Sequence, residues 1–201
     1  GVYVQETIPS FSQGDVKTSD NTTDMAIVDQ AMPIDPETNQ PGTALFTVET
    51  PDGLRYTRNG NFTLDGSGYL TTANGYYVLD ENRERILLNS ENFAISSQGE
   101  ISEGTLNRGR IGISFSATPT AQLIKEGDGL YRINEGELPS AYTLNNVQFA
   151  VQQGSIEQSN VDSSKTMTDM MAAYRTFEAN QKIVQAYDQS MQKTVNEIGK
   201  L

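Results

Sequence analysis

From Val161 to Leu201 the sequence has no proline and one glycine, Gly199, whereas all seven prolines and the other sixteen glycines lie before it. These residues punctuate a chain: glycine supplies positive φ at tight turns, and proline cannot donate to a helix or an inner sheet ladder. A long stretch free of proline and rich in Met, Ala, Gln and Lys is a helix; a stretch broken every few residues has room only for short strands. The sequence therefore predicts a mainly β protein with a long C-terminal α-helix. Its expected parts are an extended N-terminal segment over 1–22, a single β domain of meander or barrel-like form over 23–158, and a helical, coiled-coil-type segment over 159–201.

Within the β part, residues 54–58 and 61–64 flank Asn59-Gly60, the dipeptide of a tight hairpin turn, so a hairpin is expected there. Asp65-Gly66-Ser67-Gly68, then 69–72, then Asn74-Gly75, then 76–79 extend the pattern into a meander. Residues 93–96 and 100–102 flank a turn at Gln98-Gly99, and 110–115 alternate apolar with polar. Residues 31–44, with Pro33, Pro36, Pro41 and Gly42, read as an ordered surface loop or edge connection.

Written in sevens, the tail places Met167, Tyr174, Gln181, Asp188 and Val195 at one seam position and Met170, Phe177, Val184, Met191 and Ile198 at the other, with Met171 and Ile183 beside them. About 35 helical residues at 1.5 Å each make a rod of roughly 50 Å, longer than a compact β domain easily covers. Two destinations follow for the seam: a coiled-coil partner, or the sheet itself as the second layer of an α+β domain. Gln181 and Asp188 interrupt it, either as register-fixing polar positions or because that stretch faces solvent. Asp162, Ser163, Ser164 and Thr166 each offer an N-cap.

Composition removes most chemistry. With no cysteine there is no disulfide, thiolate metal site or nucleophilic thiol, and with no histidine the usual base beside a catalytic serine is missing. A net charge of −12 opposes nucleic-acid phosphates and anionic lipid, so neither is an expected partner. No apolar run reaches the roughly 20 residues of a membrane span, and no Sec-type signal opens the chain. Ser190-Met191-Gln192-Lys193 matches S-x-x-K without its companion motifs, and two polar residues one helical turn apart arise on any amphipathic helix. Asp65-Gly66-Ser67-Gly68 is similar to the middle of a calcium loop, but the alignment puts Thr63 and Asn74 where an acidic first ligand and a bidentate Glu belong, so it reads as a turn. Asp80, Glu81 and Glu84 alternate with Arg83 and Arg85 as a solvated charged turn. Gly127-Asp128-Gly129 lacks the rest of a dinucleotide loop. No catalytic residue, cofactor or metal is expected. Nine tyrosines leave open a β-domain binding module that stacks on cell-wall glycan.

Taken in order, several segments resemble the flagellar rod and hook family of axial proteins. Residues 23–27 (Thr-Asp-Met-Ala-Ile) look like the opening of its β domain; 56–65 (Tyr-Thr-Arg-Asn-Gly-Asn-Phe-Thr-Leu-Asp) and 68–79 look like its most recognisable signature; 95–102, 123–132 and 151–161 continue the series, and 167–180 resembles its C-terminal helix. The resemblance implies a structural subunit of the flagellar rod, of distal-rod type, in the basal body outside the cytoplasmic membrane after flagellar type III export. A hook or proximal-rod subunit is the alternative, disfavoured because hook proteins usually carry an additional β domain. It also implies an N-terminal helix that pairs with the C-terminal one and with neighbouring subunits. The chain begins at Gly1 without such a helix, so the isolated fragment is expected to be a monomer or weak oligomer. The implied partners are other copies of the chain and neighbouring axial proteins of the rod and hook.

Overall fold

A computed structural model of the chain describes residues 10–161 and 163–198, without the side chains of 163 and 193–198. Two units emerge, one ending at Asn160 and one beginning at Val161.

The first unit is built around the strand Thr43–Thr50, whose run of alternating residues is buried on both faces. Ala44, Phe46 and Val48 enter the main core with Met25, Ile27, Phe62, Leu70, Ile111 and Ile113. Leu45 points the other way, into a smaller core with Tyr56, Leu123 and Leu138, as the two-residue period of a strand requires. Pro51 and Asp52 turn this strand back into Gly53–Thr57, with Thr50 opposite Gly53. On its other edge the same strand carries two partners end to end: Ile113–Ser116 against its first half and Tyr77–Val78 against its second. The remaining strands order this sheet as Leu123–Lys125, Leu130–Ile133, Gly53–Thr57, Thr43–Thr50, Tyr77–Val78, Leu70–Thr72, Phe62–Leu64. A three-stranded sheet of Ala94–Ile95, Glu100–Glu103 and Leu106–Arg110 lies apart from it in pairing. Two further ladders close the unit: Val16–Thr18 with Ser155–Glu157, and Met25–Ala31 with Gln148–Gln153. The sheets are open; among the described residues none closes into a barrel.

The expected hairpin at Asn59-Gly60 is not formed. Gly53–Thr57 pairs with Thr43–Thr50 and Leu130–Ile133, and Phe62–Leu64 pairs with Leu70–Thr72 instead. Gly60 is not at positive φ; its carbonyl accepts the Met25 N–H at 2.9 Å, and a Cβ there would lie 1.6 Å from the Met25 carbonyl oxygen. The dipeptide thus marks a close backbone crossing, not a turn. The turns that follow match the meander. Asp65 Oδ1 accepts the N–H groups of Ser67 and Tyr69, both at 2.8 Å, which makes the Asp65–Gly68 stretch an Asx-type turn. The Gln98-Gly99 turn also forms, with Gly99 at φ 81°.

Two other polar groups differ from expectation. In Ile113–Ser116 the serines are buried as fully as the apolar residues: Ser114 Oγ lies 2.9 Å from Thr47 Oγ1, and Ser116 Oγ donates to Gln122 Oε1 at 2.7 Å. The turn at residues 80–85 is not simply solvated, because Asp80 is buried and its Oδ1 accepts the N–H groups of Asn82 and Glu84 at 2.8 Å each.

Arg58 ties the closing ladders to the central strand. Its Nε meets Glu157 Oε2 at 2.5 Å, Nη1 donates to the Ala44 carbonyl at 2.7 Å, and Nη2 donates to the Ile27 carbonyl at 3.0 Å while lying 3.0 Å from Asp29 Oδ1. One guanidinium therefore spans three strands of distant sequence.

In the smaller core the Leu138 N–H donates to the Tyr56 hydroxyl at 3.0 Å, with Tyr56 fully buried. Tyr56→Phe should leave that N–H without a partner and cost about 1–3 kcal/mol, read as a lower urea midpoint at unchanged m-value.

Candidate assembly interface

The second unit is the helix Ser163–Ile198, 36 residues with no internal proline or glycine. Its first residue is Ser163, so Ser164 and Thr166 lie inside the helix and do not cap it; Asp162 falls outside the described residues. Thr168 and Thr176 turn their hydroxyls back to the carbonyls of Ser164 and Ala172, each at 2.9 Å, so these interior threonines are satisfied within the helix.

At 100° per residue, the seam residues fall on one side of this helix. Met167, Met170, Tyr174, Phe177, Val184 and Met191 are all exposed, each leaving 54 to 65% of its surface uncovered. Gln181 and Asp188 share that side and are exposed as well. Val195 and Ile198 continue the register on the helix, but their side chains lie outside the described ones. So does that of Lys193, the partner of Ser190 in the S-x-x-K match.

Two corrections follow from helical geometry. Ile183 does not lie beside the seam: it sits 100° around the axis from Val184, toward the back of the helix. Tyr187, which the seven-residue count passed over, stands three residues after Val184 and four before Met191, so it flanks the seam's C-terminal half. The i+3 and i+4 spacings alone would have found it. Exposed aromatic and methionine side chains in a row, on a helix, are the usual make-up of a packing surface: methionine adapts its shape, and Tyr and Phe bring large apolar area.

Charge along the helix is balanced. Lys165, Arg175, Lys182 and Lys193 offset Asp169, Glu178, Asp188 and Glu197, so the chain's net −12 resides elsewhere. Among the described residues no helix is long and apolar enough to cross a membrane.

Both units have counterparts in known proteins by sequence. Residues 41–103 match the flagellar hook protein FlgE/F/G D1 domain family, and residues 152–197 match the flagellar basal body rod FlgEFG protein C-terminal family. The flagellar hook-basal body complex protein FlhO of Bacillus subtilis (strain 168) is 41% identical over 202 residues, covering 100% of this chain and 74% of that protein. This chain belongs to the flagellar rod and hook family. The flagellar basal-body rod protein FlgG of the same organism is 38% identical over 165 residues, which are 77% of this chain and 62% of FlgG. The flagellar basal-body rod protein FlgF of Caulobacter vibrioides is 29% identical over 162 residues, 80% of this chain and 64% of FlgF. In this rod-family chain the D1 match covers the central strand and the meander, and the C-terminal match runs from the last ladder through most of the exposed seam.

Proposed function

We propose that this chain is a structural subunit of the bacterial flagellar rod, of distal-rod type, and that its C-terminal helix packs by the seam of Met167, Met170, Tyr174, Phe177, Val184 and Met191 against helices of neighbouring axial subunits. The observation that carries this reading is the exposed apolar row itself, lying within the stretch that matches the rod C-terminal family. A solvent-facing helix has no use for such a row, because each residue of this kind gains about 1.5–3 kcal/mol on full burial. The balanced charge of the helix supports the same reading, since bringing many copies together accumulates no net charge along the axis. Gln181 and Asp188 act as the polar positions that fix register at some cost in stability.

The mechanism is mechanical. A seam that meets a different patch on its neighbour is a heterologous contact, and such contacts repeat into an open helical assembly. Side-by-side helices in that assembly resist twisting and carry torque from one end to the other. The site is the basal body, outside the cytoplasmic membrane, and the partners are other copies of this chain and the adjoining rod and hook proteins. No bond is made or broken in this mechanical role, and the relatives that support it are a hook-basal body complex protein and a basal-body rod protein.

The test is a double substitution, Met170→Asp with Phe177→Asp, introduced into the full protein in flagellated cells. Incorporation into purified basal bodies should fall by roughly tenfold or more, since burying two unpaired carboxylates costs several kcal/mol. Melting of the β unit should not change. Normal incorporation of the double variant would remove the seam from the interface.

A further inference from the structure

We propose that the cleft between the Pro51 turn and the Asn74 turn, about 450 Å³ in volume, is a binding site for a neutral oligosaccharide. It lies in the β unit and shares no residue with the helix seam. Its formation follows from register: Glu49 stands opposite Tyr77, which brings the ends of two hairpins side by side and leaves a hollow between them. The volume falls in the range of small-molecule sites.

The cleft's groups are held in place from behind. The Arg85 guanidinium lies 4.0 Å from the centre of the Tyr77 ring, and its Nε donates to Glu49 Oε2 at 2.6 Å. Tyr69 meets Tyr77 edge-on, with ring centres 5.6 Å apart. These contacts use one oxygen of Glu49 and one nitrogen of Arg85. Among the described residues, Glu49 Oε1, both Nη atoms of Arg85 and the side-chain amide of exposed Asn74 have no hydrogen-bond partner. The Arg85 hydrogen bond holds the Glu49 carboxyl below its usual range, so Oε1 is a charged acceptor at neutral pH. Tyr76 packs on the main core and also lines the cleft.

The cleft thus offers an ionised acceptor, a donor fork, an amide that does both, and an aromatic wall. A pyranose ring matches that set: each hydroxyl donates and accepts, vicinal hydroxyls can bridge Glu49 and Arg85, and the ring's C–H face packs on tyrosine. Charge selects among ligands. An anionic ligand meets Glu49 and the field of a chain at −12, and a cation drawn to Glu49 finds that carboxylate already paired with Arg85. A neutral sugar meets neither penalty.

The test is titration of the ¹⁵N-labelled protein with the tetramer of N-acetylglucosamine, a soluble neutral probe. Saturable shifts should appear in the amides of Glu49, Thr50, residues 74–77 and Arg85, with little dependence on salt. Asn74→Ala and Glu49→Ala should each weaken binding about tenfold, the worth of a hydrogen bond to a polar or charged group, without changing the melting temperature. The variant with Met170→Asp and Phe177→Asp should bind as the parent does, which separates this site from the assembly reading. No shift at millimolar sugar, shifts scattered over the surface, or binding by both cleft variants as tight as the parent's overturns the proposal. So does tighter, salt-sensitive binding of an acidic oligosaccharide such as oligogalacturonate.

Discussion

Replacing Arg58 with methionine should lower the unfolding free energy of the β unit by about 3–5 kcal/mol, the usual consequence of removing one partner of a buried ion pair. Methionine fills much of the same volume, so the loss isolates charge and hydrogen bonding from packing. Arg58, Asp29 and Glu157 are each less than one-fifth exposed, and the guanidinium also serves the carbonyls of Ala44 and Ile27. Without it, two carboxylates stay behind in a poorly hydrated place. Arg58→Lys should recover only part of the loss, because one ammonium cannot reach three strands with a planar fork.

The pH dependence gives a second check on the same variant. Burial raises the Asp29 carboxyl above its ordinary value, against the opposing pull of Arg58. A carboxyl raised in the folded state favours folding when protonated and costs stability when ionised, so its penalty is relieved as pH falls toward its folded pKa. Removing Arg58 takes away the opposing pull and moves that relief to higher pH. The stability gap between parent and Arg58→Met should therefore narrow between pH 7 and 5 in urea titrations. A constant gap would mean that Asp29 is not strained by the loss.

Gly60→Val should be at least as damaging, costing about 3 kcal/mol or more and disturbing the strand Met25–Ala31. The reason is space and not backbone freedom. A Cβ at Gly60 would stand 1.6 Å from the Met25 carbonyl oxygen and 2.7 Å from its carbon, and backbone cannot swing aside as a side chain can. Two controls separate the causes. Gly75 has φ 82° and open space, so Gly75→Ala should cost only about 1 kcal/mol, through conformation alone. Gly66 has open space and no positive φ, so Gly66→Ala should be nearly neutral. Equal effects at positions 60 and 66 would refute the crossing as the reason for glycine.

That same glycine explains where sequence was legible and where it was not. The division into β unit and helix could be read from the placement of proline and glycine, and the turns at Asp65, Asn74 and Gln98 from local chemistry, because those signals act within a few residues. Asn59-Gly60 carries the same local signal as a hairpin turn, yet its glycine answers to Met25, 35 positions earlier in the chain. Nothing within a short window reveals such a partner. The buried serines at 114 and 116 were hidden similarly: alternation announces one apolar face, but a second core on the other face is a property of the whole sheet. The exposed apolar row on the helix could be read because its spacing is local, while Tyr187 falls outside a strict seven-residue repeat on a helix whose period is 3.6.

The ladders that close the β unit join residues 16–31 to residues 148–157. Strands Val16–Thr18 and Met25–Ala31 thus wait for partners more than a hundred residues further along, and pairing across such a separation is intrinsically slow. A chain emerging N-terminus first from a ribosome offers no closed β unit until the Ser155–Glu157 strand is free. Until then the early strands present bare edges. Completion of folding is in this way timed by the arrival of the segment that leads straight into the helix.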